Sequence, residues 1–449
     1  MSTPADFEPM EKGFDLAQAI AEADRCLLCH DAPCSAGCPA ETDPGRFIRK
    51  LRFKNITGAV RTIKHNNILG AACGVLCPTA RLCEEKCSAI FKSQERPEGA
   101  DRPIAIGKIQ RFLVEYAWHQ GIQVLEKGAP RPQKVAVVGS GPAGLSCAAE
   151  LAKEGFGVTV FEARPEPGGV LRYGVVSYRC SQDFLNRELD DVRALGVEFK
   201  CNHPVNGQRD AEKLLAEGYS AVFLAPGLWQ AASLKKQRPA IKGLWSSVDF
   251  LAALRDGRFA EMRDAVAGRT VAVIGGGSVA MDCIGAAARL DAADVYLVYR
   301  RSYAQMPAEP DERIEAQEAG VHFLLLNQPV DYVTDGGRIS GLKLVRTRLG
   351  EADASGRRRP EAVEGSEWVL PADLVIEAIG NQAPDDSPAW YPRVKVNDRR
   401  LIEVDPDTGR TSVEGIFAGG DIVRGPALVV QAVQDGKVAA RAIKDYLTQ

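Results

Sequence analysis

Apolar residues recur at helical spacing through residues 42–70, "TDPGRFIRKLRFKNITGAVRTIKHNNILG". Thr42 or Asp43 is placed to cap this run, with Pro44 in its first turn, where a missing N–H costs nothing. A second helical run extends from Ile104 to about Trp118. The Gly/Pro-rich linker "KGAPRPQ", residues 127–133, closes the helical region. Beyond it the pattern changes. Short, wholly apolar runs alternate with glycine turns and helices, as in "KVAVVGSGPAGLSCAAELAKEGFGVTVFEARPEPGG" and "TVAVIGGGSVAMDCIGAAARLDAADVYLVYRR". Such runs read as buried strands of a parallel sheet. No short tandem repeat occurs, but this strand–glycine–helix unit occurs twice.

In the first unit a strand, Val135–Val138, runs into Gly139, Ser140, Gly141, Pro142, Ala143 and Gly144, and a second strand ends at Glu162. Gly139 makes the tight turn, and Gly141 lets backbone N–H groups approach a pyrophosphate at the helix N-terminus. Gly144 lets helix and strand pack closely, and Glu162 can bond a ribose hydroxyl. The second unit carries Gly275, Gly277 and, in the third position, Ala280, with Ser278 and Val279 between them. Arg300 and Arg301 end its second strand where the first unit has Glu162. A carboxylate there opposes a 2′-phosphate, whereas a guanidinium binds one bidentately. The first unit is read as holding FAD and the second as holding NADPH, with NADH as the alternative.

The segment "TSVEGIFAGGDIVRGPALVVQAVQDGKVAARAI" places a strand, Gly415–Ala418, before Gly419, Gly420, Asp421 and a helical pattern. It resembles the C-terminal flavin signature of flavoproteins with two dinucleotide-binding domains. There the Asp reaches the ribityl and pyrophosphate region of FAD. "AVFLAPG" (221–227) and "ADLVIEAIG" (372–380), ending at Gly380, resemble that family's two crossover strands. The resemblance implies an NAD(P) domain at 229–380, inserted between FAD segments at 129–228 and 381–449. Disulfide reductases of this fold carry a close cysteine pair near the flavin. Here Cys147, Cys180, Cys201 and Cys283 are far apart and read as small buried hydrophobes. Electrons are expected to leave the flavin by another route.

Composition narrows the setting. The 449 residues suffice for two or three domains with full cores, and 45% hydrophobic with 26% charged residues is ordinary for a soluble globular chain. A net charge of -3 calls for no nucleic-acid or acidic-membrane partner. "GRRRP" at 356–360 reads as a solvated hairpin turn. "MSTPADFEPMEKGF" lacks an apolar signal core, and no run of eighteen apolar residues occurs, so a cytoplasmic location is expected. In that reducing compartment twelve cysteines point to metal or redox chemistry.

Eight of the cysteines fall within the first 87 residues, in "CLLCHDAPCSAGCP" and "CGVLCPTARLCEEKC". The first set is Cys26-x2-Cys29-x4-Cys34-x3-Cys38-Pro39; the second contains Cys73, Cys77-Pro78, Cys83 and Cys87. Thiolate runs ending in Cys-Pro are a ferredoxin-like pattern in which the fourth cysteine ligates the other cluster. Zinc takes paired CxxC or Cys/His knuckles, and only one CxxC occurs here. His30 reads as a neighbour of a ligand rather than a ligand. Counting thiols alone makes Cys73 the eighth.

"RCLLCHDAPCSAGCPAETDPGRFIR", "LGAACGVLCPTARLCEEKC" and "PIAIGKIQRF" closely resemble the NAD(P)H-oxidising subunits of bacterial dihydropyrimidine dehydrogenases and the matching N-terminal half of the animal enzymes. The resemblance spans nearly the whole chain; glutamate synthase small subunits are similar but more distant. It implies an α/β protein in which an N-terminal α-helical domain, 1–128, holds two [4Fe–4S] clusters ahead of two Rossmann-like domains. Cys26, Cys29, Cys34 and Cys87 would hold one cluster. Cys38, Cys77 and Cys83 would hold the other, with Gln110 as fourth ligand. By position, Ser140 to Gly144, Glu162, Gly169 and Arg179 would serve the flavin, and Gly277 to Ala280, Arg300 and Arg301 the nicotinamide coenzyme. The sequence departs from the family at "YGVVSYRCS", where relatives have Gly-Ile-Pro and Arg-Leu-Pro, and at Ser278, where Asn or Asp is usual. About seven extra residues, around "FKSQERPEGADR", precede Gln110.

The implied activity is electron input: NAD(P)H reduces FAD, and the clusters carry electrons outward. No acid or base is needed for hydride transfer, and none is assigned. Pyrimidine reduction in the family needs an FMN-bearing barrel of about 250 residues. The last helix runs to Tyr446 and the chain to Gln449, so the uracil- or thymine-reducing site is expected on a separate FMN- and iron–sulfur-containing catalytic subunit, in a heterotetramer. A glutamate synthase small subunit is the alternative.

Overall fold

The computed structural model describes residues 13–90, 102–207, 210–236, 238–352 and 356–448. Most of the extra stretch before Gln110, and of the N-terminal stretch read for a signal, lies outside them.

The N-terminal region is helical: α1 (Leu16–Asp24), α2 (Pro44–Arg52), α3 (Ile56–Asn66), α4 (Gly70–Leu76) and α5 (Ile106–His119). The apolar run at 42–70 breaks into α2, α3 and the start of α4 at Lys54, which has positive φ, and at Asn67, which is extended (φ -152). Asp43 (φ 65) caps α2 by accepting the Arg46 N–H at 3.2 Å. Lys54 (φ 60) ends α2, and Asn55 caps α3 by accepting the Gly58 N–H at 2.8 Å. Thr42, the other candidate cap, is buried instead, with its N–H directed at Cys38 Sγ at 3.5 Å. Phe47, Ile48, Leu51, Ile63, Ile109 and Leu113 meet in the core. Gly74 lets α4 lie against α5, where a Cβ would stand 2.9 Å from the Arg111 nitrogen.

The flavin-type domain is a five-stranded parallel sheet. Strand β1 (Lys134–Val138) is flanked by β2 (Gly157–Phe161) and β4 (Ala221–Leu224). Outside these lie β3 (Glu198–Lys200) and β14 (Ile416–Ala418). Helices α6 (Pro142–Lys153), α7 (Gln182–Ala194) and α9 (Val429–Thr448) belong to the same unit.

The coenzyme-type domain repeats the plan. Its parallel sheet runs β5 (Leu244–Ser246), β13 (Leu374–Glu377), β6 (Thr270–Ile274), β7 (Asp294–Tyr299), β8 (His322–Leu325), with α8 (Ser278–Arg289) after β6. An antiparallel layer follows: β9 (Asn327–Asp335), β10 (Arg338–Ala352), β11 (Arg358–Ala362), and β12 (Trp368–Pro371) on β10. The expected turn at "GRRRP" holds in part: exposed Gly356 (φ 77) and Arg357 lie in the connection between β10 and β11, while Arg358, Arg359 and Pro360 lie in β11.

The chain is therefore an α/β protein with a helical N-terminal domain and two Rossmann-like domains, the second inserted in the first. Gln230–Ala231 pairs antiparallel with Asn381–Gln382 where the chain leaves and returns. By contacts, Tyr173–Tyr178 and Trp229–Gln382 form one compact unit and the remaining described residues the other.

Candidate functional site

Four of the thiols converge on one cavity. Cys26, Cys29, Cys34 and Cys87 line it, with Ile48 and Ile106 among its apolar walls. The loop that carries Cys26 and Cys29 is anchored by cations: Arg52 donates to the Cys26 carbonyl at 2.6 Å and Arg49 to the Cys29 carbonyl at 3.1 Å. Leu28 adopts φ 54, which an L-residue rarely takes without need. Burial, and then the nearby Cys87 and Cys26 sulfurs, push the Cys34 thiol up to about 12. Crowding of this kind disfavours bare thiolates, and bound iron reverses it.

Cys38, Cys77 and Cys83 form a second group. Contact with the Cys73 thiol, then burial and the charges of Cys73, Cys38 and Cys83, raise Cys77 well above the usual thiol range. Burial, Glu84 and Cys38 likewise raise Cys83. Both candidates for the eighth ligand lie where α4 packs on α5. Cys73 is buried beside Cys77, and Gln110 donates its amide nitrogen to the Gly70 carbonyl at 2.6 Å. The Gln110 carbonyl oxygen is the atom left to ligate a metal. Among the described residues no three His, Cys, Asp or Glu side chains converge on one point able to hold a single ion. Cys26, Cys29, Cys34 and Cys87 instead line one cavity, which suits a cluster held at its corners. His30 is almost fully exposed, paired with Asp31. Cys147, Cys180 and Cys283 are buried and Cys201 half-buried, all as free thiols.

Flavin-domain helices grip the segments that bear the second group. Lys437 on α9 donates to the Ala40 carbonyl at 2.6 Å, two residues from Cys38. Glu188 on α7 accepts the N–H groups of Ala71 and Ala72, at 2.7 and 3.0 Å, in the first turn of α4. Neither residue was singled out from the sequence. Both are charged positions on amphipathic helices, which periodicity assigns to solvent.

The dinucleotide loops have the shape their glycines require. At Gly139 (φ 95) a Cβ would lie 2.3 Å from the Ala225 oxygen, and at Gly144 one would lie 2.0 Å from the Gly139 oxygen. At Gly141, the N-cap of α6, a Cβ would meet nothing within 4 Å. No side chain caps α6, so its first-turn N–H groups have no side-chain acceptor, as a pyrophosphate site requires. Pro142 and Ala143 are buried in this turn. Glu162 is buried and accepts from both the N–H and the hydroxyl of Ser140, so it also braces the loop. Gly169 (φ 52) crosses Gly141, where a Cβ would come within 2.5 Å of its Cα. Arg179 lies half-buried in the turn before α7. The preceding Tyr173–Tyr178, expected on the flavin side, packs in the coenzyme unit instead: Arg289 of α8 stacks 4.1 Å over the Tyr178 ring.

At the other end of the flavin domain, burial and the charge of Asp435 push Asp421 up to about 6. Asp435 accepts the Gly420 N–H at 2.9 Å and pairs with Arg424, fixing the turn.

In the coenzyme domain Gly275 (φ 143) leaves 2.3 Å between a would-be Cβ and the Ala378 oxygen, and Gly277 caps α8 without a side-chain partner. Ser278 and Val279 open the helix, Val279 exposed, while Ala280 is buried. Gly380 (φ 109) is exposed, and its carbonyl accepts the Ala232 N–H at 2.9 Å. Arg300 is exposed at the end of β7, whereas Arg301 is buried with its Nε on the Arg358 carbonyl at 2.9 Å.

A two-domain dinucleotide fold behind a thiol-rich helical domain defines a class. Residues 133–436 match the pyridine nucleotide-disulphide oxidoreductase family, and residues 3–122 match the family described as dihydropyrimidine dehydrogenase domain II, 4Fe-4S cluster. The chain belongs to the pyridine nucleotide-disulphide oxidoreductase family and carries that family's flavin and nicotinamide folds behind an iron–sulfur domain. It is 36% identical over 444 residues to the NAD-dependent dihydropyrimidine dehydrogenase subunit PreT homolog of Salmonella typhi, covering 98% of this chain and 97% of that one. It is also 36% identical over 454 residues to the glutamate synthase [NADPH] small chain of Escherichia coli, covering 98% and 93%. Overall identity thus does not rank one relative above the other. FprA of Mycobacterium tuberculosis, solved with NADPH, shares the fold at 20% identity with a TM-score of 0.59, over 71% of this chain and 85% of that one.

Proposed function

We propose that this chain is the electron-input subunit of a larger oxidoreductase, taking electrons from NADPH through FAD and two [4Fe–4S] clusters to a separate polypeptide. The reading rests on the convergence of Cys26, Cys29, Cys34 and Cys87 on one cavity, beside a second group of Cys38, Cys77 and Cys83. Gln110 completes the second group, with Cys73 as the competing ligand. When bound, FAD accepts a hydride from the nicotinamide and releases electrons singly to the clusters. The chain's own residues position these groups. Open glycine turns and uncapped helix starts hold the pyrophosphates, Arg300 selects the 2′-phosphate, and Lys437 and Glu188 seat the thiol-bearing segments.

The partner is an FMN- and iron–sulfur-containing catalytic subunit that reduces uracil and thymine, in a cytoplasmic heterotetramer. A glutamate synthase small chain is the second reading, supported by its equal identity over the same span. Among the described residues no helix is long and apolar enough to cross a membrane. Co-expression with each candidate catalytic subunit tests the choice. Uracil-dependent NADPH oxidation is expected only when the pyrimidine-reducing subunit is added, with dye reduction alone from the isolated chain. Uracil-dependent oxidation by the isolated chain contradicts the proposal, and stable assembly with a glutamate synthase large chain instead establishes the second reading.

A further inference from the structure

The two arginines at the end of β7 have different surroundings. Arg301 is buried, and its Nε is committed to the carbonyl oxygen of Arg358, the first residue of β11. Further bonds stitch the base of the β10–β11 hairpin to the same strand end. The Leu326 N–H donates to the Arg301 carbonyl at 3.1 Å, the Thr347 N–H to the Leu326 carbonyl at 2.8 Å, and the Thr347 hydroxyl to the Arg300 carbonyl at 2.8 Å. Arg358 turns its guanidinium back onto β10, donating to the carbonyls of Gly350 and Leu349 at 2.8 Å each. The preceding residue, Arg357, is exposed, as is Arg300. The two stand close enough to sense one another: burial, then the charges of Arg301 and Arg357, hold Arg300 below the usual arginine range.

We propose that the 2′-phosphate of NADPH is held by Arg300 together with Arg357, and that Arg301 is a positioning residue that fixes the hairpin carrying Arg357. The proposal rests on the NADPH reading above and deepens it. Guanidiniums gathered by backbone-level bonds at a strand end repel one another, and a phosphate dianion between them removes the repulsion while accepting forked hydrogen bonds. The strand end is also where this fold reads the group on the adenosine ribose. The run "GRRRP" then divides its labour. Arg357 meets the ligand, Arg358 locks the hairpin, and the Arg358 backbone receives Arg301.

Calorimetric titration of the holoprotein with 2′,5′-ADP and with 5′-AMP tests this without turnover. The wild type is expected to bind 2′,5′-ADP at least about ten-fold more tightly than 5′-AMP. Arg357→Ala should lose about ten-fold on 2′,5′-ADP and nothing on 5′-AMP, with Arg357→Lys restoring part of the loss. If Arg301 acts through the hairpin, the Arg301→Ala/Arg357→Ala double variant binds 2′,5′-ADP no more weakly than Arg357→Ala alone. Additive losses would make Arg301 a direct ligand and overturn the positioning role. Unchanged 2′,5′-ADP affinity in Arg357→Ala, with a loss in Arg300→Ala, overturns the proposal and leaves the NADPH reading standing. Equal wild-type affinity for the two ligands overturns that reading itself.

Discussion

The buried carboxylate of Glu188 accepts the backbone N–H of Ala71 at 2.7 Å. It reaches from a flavin-domain helix into the first turn of α4, the helix that carries Cys73 and ends beside Cys77. Lys64 lies 3.6 Å from it and 2.8 Å from Asp191, whose other partner is the Trp118 indole at 3.0 Å. Burial outweighs Lys64 and the two amides and pushes Glu188 up to about 7.

This gives a signed pH dependence. The folded-state value lies above the unfolded one of about 4.3, so the folded chain binds this proton more tightly. The associated stability is fully present below about pH 4.3 and is lost as the pH rises through about 7. Glu188→Gln removes the effect while keeping an acceptor. Denaturant unfolding from pH 5 to pH 8 should show the wild type losing stability relative to Glu188→Gln, by at most about 1.4 kcal/mol per pH unit. Parallel curves for the two proteins would show that Glu188 does not titrate in this range.

Two glycines of one loop should fail in different ways. Gly144→Ala drives a methyl toward the Gly139 oxygen, 2.0 Å from the ideal Cβ, and should cost about 1–3 kcal/mol. Gly141→Ala meets only open space and should leave the flavin-free melting temperature unchanged while lowering flavin content, because its methyl occupies the pyrophosphate's path. A Gly141→Ala protein with full flavin would remove the phosphate role of that turn.

The eighth iron ligand can be separated by iron analysis. Cys83→Ala should lose about half the iron, Gln110→Ala should lose iron from the same group, and Cys73→Ala should keep it all. Iron loss confined to Cys73→Ala would assign Cys73 instead.

How legible these features are in the sequence follows from how local they are. Gly139, Gly141 and Gly144 act within one turn of chain, so their spacing alone carries the argument. The Cys26–Cys38 spacing is equally local. The placing of Cys87 with Cys26, Cys29 and Cys34 depends on a distant return of the chain; there the family resemblance supplied what spacing could not. Glu188, Lys437 and Asp435 carry no sequence mark, because a charged residue on an amphipathic helix looks the same whether it faces water or another backbone. The short segment 173–178 packs against the coenzyme helix although the chain on both sides belongs to the other unit. "GRRRP" reads as a turn because its composition is polar; its first two residues lie in the hairpin connection, but β10 supplies partners that draw residues 358–360 into an edge strand.

The central claim, that the N-terminal thiols hold redox clusters serving a flavin, is tested most directly by metal, sulfide and flavin analysis of protein purified under nitrogen. Two [4Fe–4S] clusters and one FAD predict about eight irons and eight sulfides per flavin. Stoichiometric zinc with negligible iron in the same preparation would contradict the account.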